Sequence, residues 1–306
     1  MLEVFLKLSI PLICGVLYNK LPVAIPGSDV RRVISSIVLY IFIPLLTFGT
    51  LSNVLIGEHL WTIPLVSMSA VLVGLVCAWL VYGVALRGRI SMPTAGSMIL
   101  ASTWCNAMYL GLPIVTAVHG EGARHIPIEY DYLGMTPLLF SVGTMICLHY
   151  GSSDSKVSFA ETIRNVASLP PMIAIALALV INMLDVPIAV WITESCVSAG
   201  KVVPQLMLFS IGLTLRVPNI RSLPAILPAV AIRTIIVPTI TWSATVWLID
   251  DPIVESGAIL ETAMPTMMLT MVFAERYGLD TESLAQAILA STLVSLVTLP
   301  LVWNVL

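Results

Sequence analysis

Residues 99–113 read ILASTWCNAMYLGLP, and residues 259–278 read ILETAMPTMMLTMVFAERYG. Each lies in a long apolar run, and each sets small hydroxylated residues beside a helix-breaking or amide residue near its middle. Pro265 falls about halfway along the second run. In the first, Asn106 comes near the middle and is followed by Gly111 and Pro113. Proline removes a backbone donor and clashes with the preceding turn. A broken helix frees backbone groups that lipid cannot satisfy, so such breaks survive only where protein or a water-filled cavity covers them. The N-termini of the half-helices carry partial positive charge and attract anions. A proline that only kinks a packed helix is the plainer reading of either stretch alone. The same feature in both halves of the chain favours a binding site.

The composition places both runs in a bilayer. The chain has 306 residues, 58% of them hydrophobic and 10% charged, against roughly 25% charged in ordinary soluble proteins. Mean hydropathy is +1.01. No folded soluble domain hides that much apolar surface from water, which excludes a soluble enzyme, a nucleic-acid-binding protein and a disordered chain. A net charge of −3 suggests no nucleic-acid patch. Cys14, Cys77, Cys105, Cys147 and Cys196 show neither metal spacing nor a disulfide framework, and no metal or other cofactor is expected. The N-terminal apolar run contains Lys7 and lacks an A-x-A site before Pro22 and Pro26, so it reads as a retained first span.

Seven charge-free stretches, two apolar segments with one charge inside (Lys201 and Glu261) and the N-terminal run locate ten spans, at 4–21, 32–52, 60–86, 92–119, 132–150, 166–184, 195–215, 224–248, 254–275 and 283–304. Ten helices use roughly 200 residues and leave no room for a soluble domain. A β-barrel would alternate apolar and polar residues, and this chain does not. Lys20, Arg31, Arg32, Arg87, Arg89, Lys156, Arg164, Arg216, Arg221 and Arg276 fall in the odd-numbered connections; only Lys7 and Arg124 fall on the opposite side. The odd connections are therefore expected in the cytoplasm, with both termini outside.

The polar connection 151–165, GSSDSKVSFAETIRN, divides the chain into a first repeat at 1–150 and a second at 166–306. Five spans per half force opposite orientations, the layout of inverted-repeat transporters. Weak internal similarity supports this. IPLLTF with Pro44 corresponds to VPQLMLF with Pro204. Aligning Ile99-Leu100 on Ile259-Leu260 sets Ser102 on Thr262, Cys105 on Pro265 and Asn106 on Thr266.

The segment NAMYLGLPI at 106–114 resembles the asparagine-to-G-[IL]-P segment of the auxin efflux carrier family. AMPTMMLTMVFAERYGLD at 263–280 resembles that family's span 9 signature, and STLVSLVTLP at 291–300 its last span; Gly15 and Pro44 also fit. The resemblance implies an all-α membrane protein of ten spans in two inverted five-helix repeats. Broken spans 4 and 9 would cross, as in bile-acid symporters and sodium/proton antiporters. It implies a scaffold of spans 1, 2, 6 and 7 and a mobile transport part of spans 3–5 and 8–10. Plant PIN-type members carry a long loop between spans 5 and 6. The short connection here resembles bacterial or archaeal members, which are associated with malate, malonate and similar carboxylates. Plant members often place proline before the span 4 asparagine, where this chain has Cys105.

These residues suggest a substrate site formed by Asn106, Thr103, Gly111, Pro113, Thr262, Pro265, Thr266 and Gln205. Glu261 and Lys201 are coupling candidates, because an ionisable group inside a membrane is expensive and is a functional residue by default. Arg233 is expected to snorkel to the inner face, and the four histidines to be interfacial. No ATP-binding loop and no nucleophile-base motif occurs, so an enzyme is not expected. The leading expectation is a cell-membrane secondary transporter of a small organic anion, a carboxylate by class, working by elevator-like alternating access. The alternative is a cation-coupled exchanger or sodium symporter of the same fold; a receptor or scaffold ranks third. Adjacent acidic residues at the crossing would favour cation exchange, and the sequence shows none there. Expected partners are the organic anion and the lipid bilayer, with no nucleic acid; a homodimer stays open.

Overall fold

The computed structural model describes residues 2–22, 25–52, 61–152, 164, 168–184, 186–214 and 223–306, with backbone alone for 2–9 and 121. Of the linker expected at 151–165, only Gly151, Ser152 and Arg164 are among them, and His59, Lys156, Arg216 and Arg221 lie outside. The described residues are helical throughout, apart from connections and one isolated backbone bridge.

Among the described residues, six helices are long and apolar enough to cross a membrane: α2 (Gly27–Leu51), α3 (Thr62–Ala85), α6 (Gly122–Tyr150), α8 (Val190–Thr214), α9 (Leu223–Leu248) and α12 (Thr281–Val305). Shorter helices are α1 (Leu2–Tyr18), α4 (Met92–Thr103), α5 (Ala107–His119), α7 (Pro170–Met183), α10 (Pro252–Thr262) and α11 (Thr270–Tyr277). Pairs α4/α5 and α10/α11 are the two stretches that the sequence marks as broken. Leu72, Val76 and Leu80 of α3 and Val297 and Leu301 of α12 point outward. Side chains of this kind suit lipid and would be costly in water.

Local chemistry fixes the ends of the broken helices. Ser91 Oγ accepts the Thr94 N–H at the start of α4, and Asp251 Oδ1 accepts the Ile253 and Val254 N–H groups at the start of α10. Both helices carry proline in their first turn, where its missing donor costs nothing. Asp280 caps α12 through the Ser283 N–H. Gly278, at φ 69°, ends α11, and the Leu279 N–H returns to the Ala274 carbonyl.

Packing joins α1 to the second part of α8, and residues 43–51 of α2 to α7 and to the first part of α8. Gly15 and Gly212 allow the α1–α8 contact: a Cβ at Gly15 would meet the Phe209 carbonyl, and one at Gly212 the Leu12 carbonyl. Small residues permit such close approach. A second set of contacts joins α3 to α4, α6 and α9, and α4 to α9 and α12.

Two expectations need correction. In place of a fifth span at 132–150, α6 begins at Gly122 and carries Glu129 and Asp131 within it. Both carboxyls are buried, so the rule that a span starts after its last charge fails here. Arg233 does not snorkel either. It is 1% exposed and points into the protein, because backbone acceptors are available there.

Candidate functional site

The helix of α4 stops at Thr103. Trp104 is extended, at φ −94° and ψ 127°, and the helix resumes at Ala107. In the second half α10 stops at Thr262 and α11 starts at Thr270. The two interruptions lie antiparallel against each other. Asn106 N–H donates to the Pro265 carbonyl and Met267 N–H to the Trp104 carbonyl, both at 2.8 Å, around a bridge between Cys105 and Thr266. Each break thus satisfies backbone groups of the other, which solves the problem that lipid would leave unsolved. The Thr266 N–H is met by Ser291 Oγ at 3.1 Å.

The threonines of the predicted site are buried and already engaged. Thr103 Oγ1 donates to the Ile99 carbonyl, Thr262 Oγ1 to Ile259 and Thr266 Oγ1 to Ala101. Their hydroxyls hold the helix ends and the crossing together. Asn106 differs from them: it is 1% exposed, and its side-chain nitrogen has no hydrogen-bond partner. Asn106 opens on a cavity of about 20 Å³, lined also by Ile43, Tyr109, Asp131, Thr136 and Leu269. That space holds about one water, so a larger ligand requires the walls to part. Asn106, Met108 and Tyr109 stand at the N-terminus of α5, and Met267 and Leu269 just before that of α11. The positive ends of two half-helices therefore approach this cavity.

Asp131 is a site residue that charge counting along the sequence misses. It is 4% exposed and accepts a hydrogen bond from Thr136 Oγ1 at 2.9 Å, on a wide turn of α6 spanning Glu129–Met135. Such wide turns often mark functional sites. Glu261 is fully buried, and neither of its carboxyl oxygens has a hydrogen-bond partner. It packs on Gly111, where an added Cβ would collide with both oxygens. Asp131 lies close enough for the two carboxyls to interact electrostatically. One carboxyl of this pair comes from α10, next to the break, and the other from α6.

Among the other predicted residues, Pro265 supplies a carbonyl to the crossing and Pro113 lies in the first turn of the α-helical part of α5. Gln205 and Lys201 are exposed on α8. Neither reaches the cavity. Among the histidines, His119 contacts Ser256 and stacks edge-on with Trp303. His125 contacts the Gly122 carbonyl.

A second, larger cavity of about 570 Å³ is lined by Asn19, Arg31, Leu213, Thr214, Thr281 and others. At its edge Arg31 Nε donates to Glu275 Oε2 at 2.5 Å and Arg31 Nη1 to Thr214 Oγ1 at 3.0 Å. These bonds tie α2, α8 and α11 together.

Comparison with known proteins fits this geometry. The chain is 26% identical to an uncharacterized transporter of Methanothermobacter thermautotrophicus, over 99% of this chain and 97% of the relative. It is 24% identical to an uncharacterized transporter of Methanocaldococcus jannaschii, over 88% of each. The family described as membrane transport protein matches residues 8–153 and again 152–303. With nearly its whole length covered, this multi-pass membrane chain belongs to the membrane transport protein family, that of the auxin efflux carriers.

Proposed function

We propose that this chain is a secondary carrier of a small organic anion, with a carboxylate as the cargo class. The observation that carries this reading is the unpartnered amide nitrogen of Asn106, buried on a cavity at the N-terminal ends of two crossed half-helices. An amide donor and two positive helix ends replace water around a carboxylate without a full countercharge. Asp131 on the same wall repels a bound anion unless it carries a proton. The cargo and a proton therefore travel together, with Asp131 or Glu261 as the proton's seat. The chain acts as a carrier and performs no chemistry on its cargo.

Ten crossings in two inverted repeats, with both termini outside, accommodate the twelve helices of the described residues when α4/α5 and α10/α11 each count as one span. The packing supports a scaffold of α1, α2, α7 and α8 and a moving part built from the rest. Cargo held between the two parts is carried when one slides against the other. The second reading, cation-coupled exchange, draws support from the Asp131–Glu261 pair.

The test is uptake of radiolabelled mono- and dicarboxylates, malonate and malate included, into proteoliposomes, with a pH gradient or a sodium gradient imposed. Saturable uptake of a carboxylate that Asn106→Ala weakens supports the carrier reading. Uptake of sodium with no carboxylate transported overturns it in favour of the exchanger.

A further inference from the structure

Arg233 has a role that the cargo site does not use. Its side chain lies on a wide turn of α9, Ile232–Ile236, and is 1% exposed. Nη1 donates to the Thr103 carbonyl at 2.8 Å, and Nη2 donates to the Thr262 carbonyl. Thr103 and Thr262 are the last residues of α4 and α10. One guanidinium therefore joins the C-terminal ends of both interrupted helices. Among the described residues no carboxylate comes within 4.0 Å of it. Its Nε has no partner.

The crossing presents four helix ends. The two N-terminal ends approach the Asn106 cavity, and the two C-terminal ends meet on Arg233. A helix C-terminus carries roughly half a negative charge. In transporters with broken helices, such ends and their freed carbonyls coordinate the coupling cation. We propose that Arg233 is a resident cation that fills this position, so that no sodium ion binds at the crossing and transport is independent of sodium. Arginine suits this position because it stays charged at any working pH and presents a planar fork of donors that spans two acceptors at once. Lysine offers a single compact ammonium on a flexible stem.

The inference rests on the carrier reading only for the word transport; the absence of a sodium site is a property of the crossing itself. The experiment therefore needs no cargo. Thermal unfolding of the purified full-length protein is followed as NaCl replaces choline chloride at constant ionic strength. The wild-type midpoint is expected to stay within about 1 °C, because no site is vacant. Arg233→Ala opens a space beside two carbonyl oxygens. Its midpoint is expected to fall and then to rise by several degrees, saturably, with millimolar guanidinium or with sodium, and not with choline. Arg233→Lys is expected to lie between wild type and Arg233→Ala. Saturable stabilisation of the wild type by sodium overturns the proposal, and so does an Arg233→Ala protein indifferent to both cations. If Arg233→Ala does not fold, the wild-type titration still decides: a flat response upholds a filled site and a saturable one refutes it.

Discussion

Replacing Arg31 by alanine removes the ion pair that ties α2 to α11. The side chains of Arg31 and Glu275 are 16% and 8% exposed, with Nε and Oε2 2.5 Å apart. An exposed ion pair contributes about 0–1 kcal/mol, while removing one partner of a fully buried pair costs about 3–5 kcal/mol. A pair at this depth falls between, at about 2 kcal/mol. Arg32 Nε stands 4.0 Å from the other carboxyl oxygen, but that side chain is 76% exposed, so it recovers little of the loss. In the proposed transport motion, α11 slides past α2 and the Arg31–Glu275 bond breaks, whereas the conformation described here makes it. Losing about 2 kcal/mol from one of two conformations shifts their ratio about 30-fold. The same proposed slide would part the small cavity, which Ile43 of α2 lines together with Asn106 and Leu269. The assay is the reaction rate of Ile43→Cys, on a cysteine-free background, with a small methanethiosulfonate reagent. Adding Arg31→Ala should speed labelling by about 10- to 30-fold, and Arg32→Ala by less than about twofold. A folded Arg31→Ala protein labelled at the parent rate would refute the view that this ion pair holds the cavity closed.

Four other outcomes follow from the same geometry. Asn106→Ala should weaken carboxylate binding by about 1–3 kcal/mol, the cost of losing a hydrogen bond to a charged group, as read by isothermal titration; unchanged affinity removes Asn106 from the site. Gly111→Ala forces a Cβ onto the Glu261 carboxyl and should cost about 1–3 kcal/mol of stability; combined with Glu261→Ala the loss should be less than additive. Glu261→Gln should abolish the pH dependence of uptake while exchange persists, and an identical profile in mutant and wild type would make Glu261 structural, leaving Asp131→Asn as the variant that must show the loss. Ser155→Cys in sealed cells should resist an impermeant thiol reagent applied from outside, whereas ready labelling would reverse the topology drawn from the basic residues.

What the sequence shows and what it hides both follow from how membrane helices are built. Breaks announce themselves: Pro265, and Asn106 followed by Gly111 and Pro113, interrupt apolar runs, and the crossing of Cys105 with Thr266 lies where those interruptions stand. Partner choice does not announce itself. Thr103 and Thr262 are prominent as hydroxyls in an apolar run, yet each bonds its own helix and offers only its carbonyl to Arg233. Asp131 escapes any reading that draws spans between charges, because a carboxyl inside a membrane helix is indistinguishable by counting from one at its end. The stretch from Gly122 to Glu129 holds the signal: Ile126, Pro127 and Ile128 continue the apolar run on the other side of the two acids. The same blindness affects Arg233. Snorkelling assumes that water is the best partner within reach, but the C-terminal ends of two broken helices lie closer and carry negative charge. Breaking helices in the middle of a bilayer creates electric poles there, positive toward Asn106 and negative toward Arg233. The positive pole favours an anionic cargo, and the negative pole needs a permanent cation if no ion is to be recruited each cycle. On this argument one feature, the paired break, accounts, among the described residues, both for a site without a basic residue in its cavity wall and for a buried arginine without a carboxylate partner.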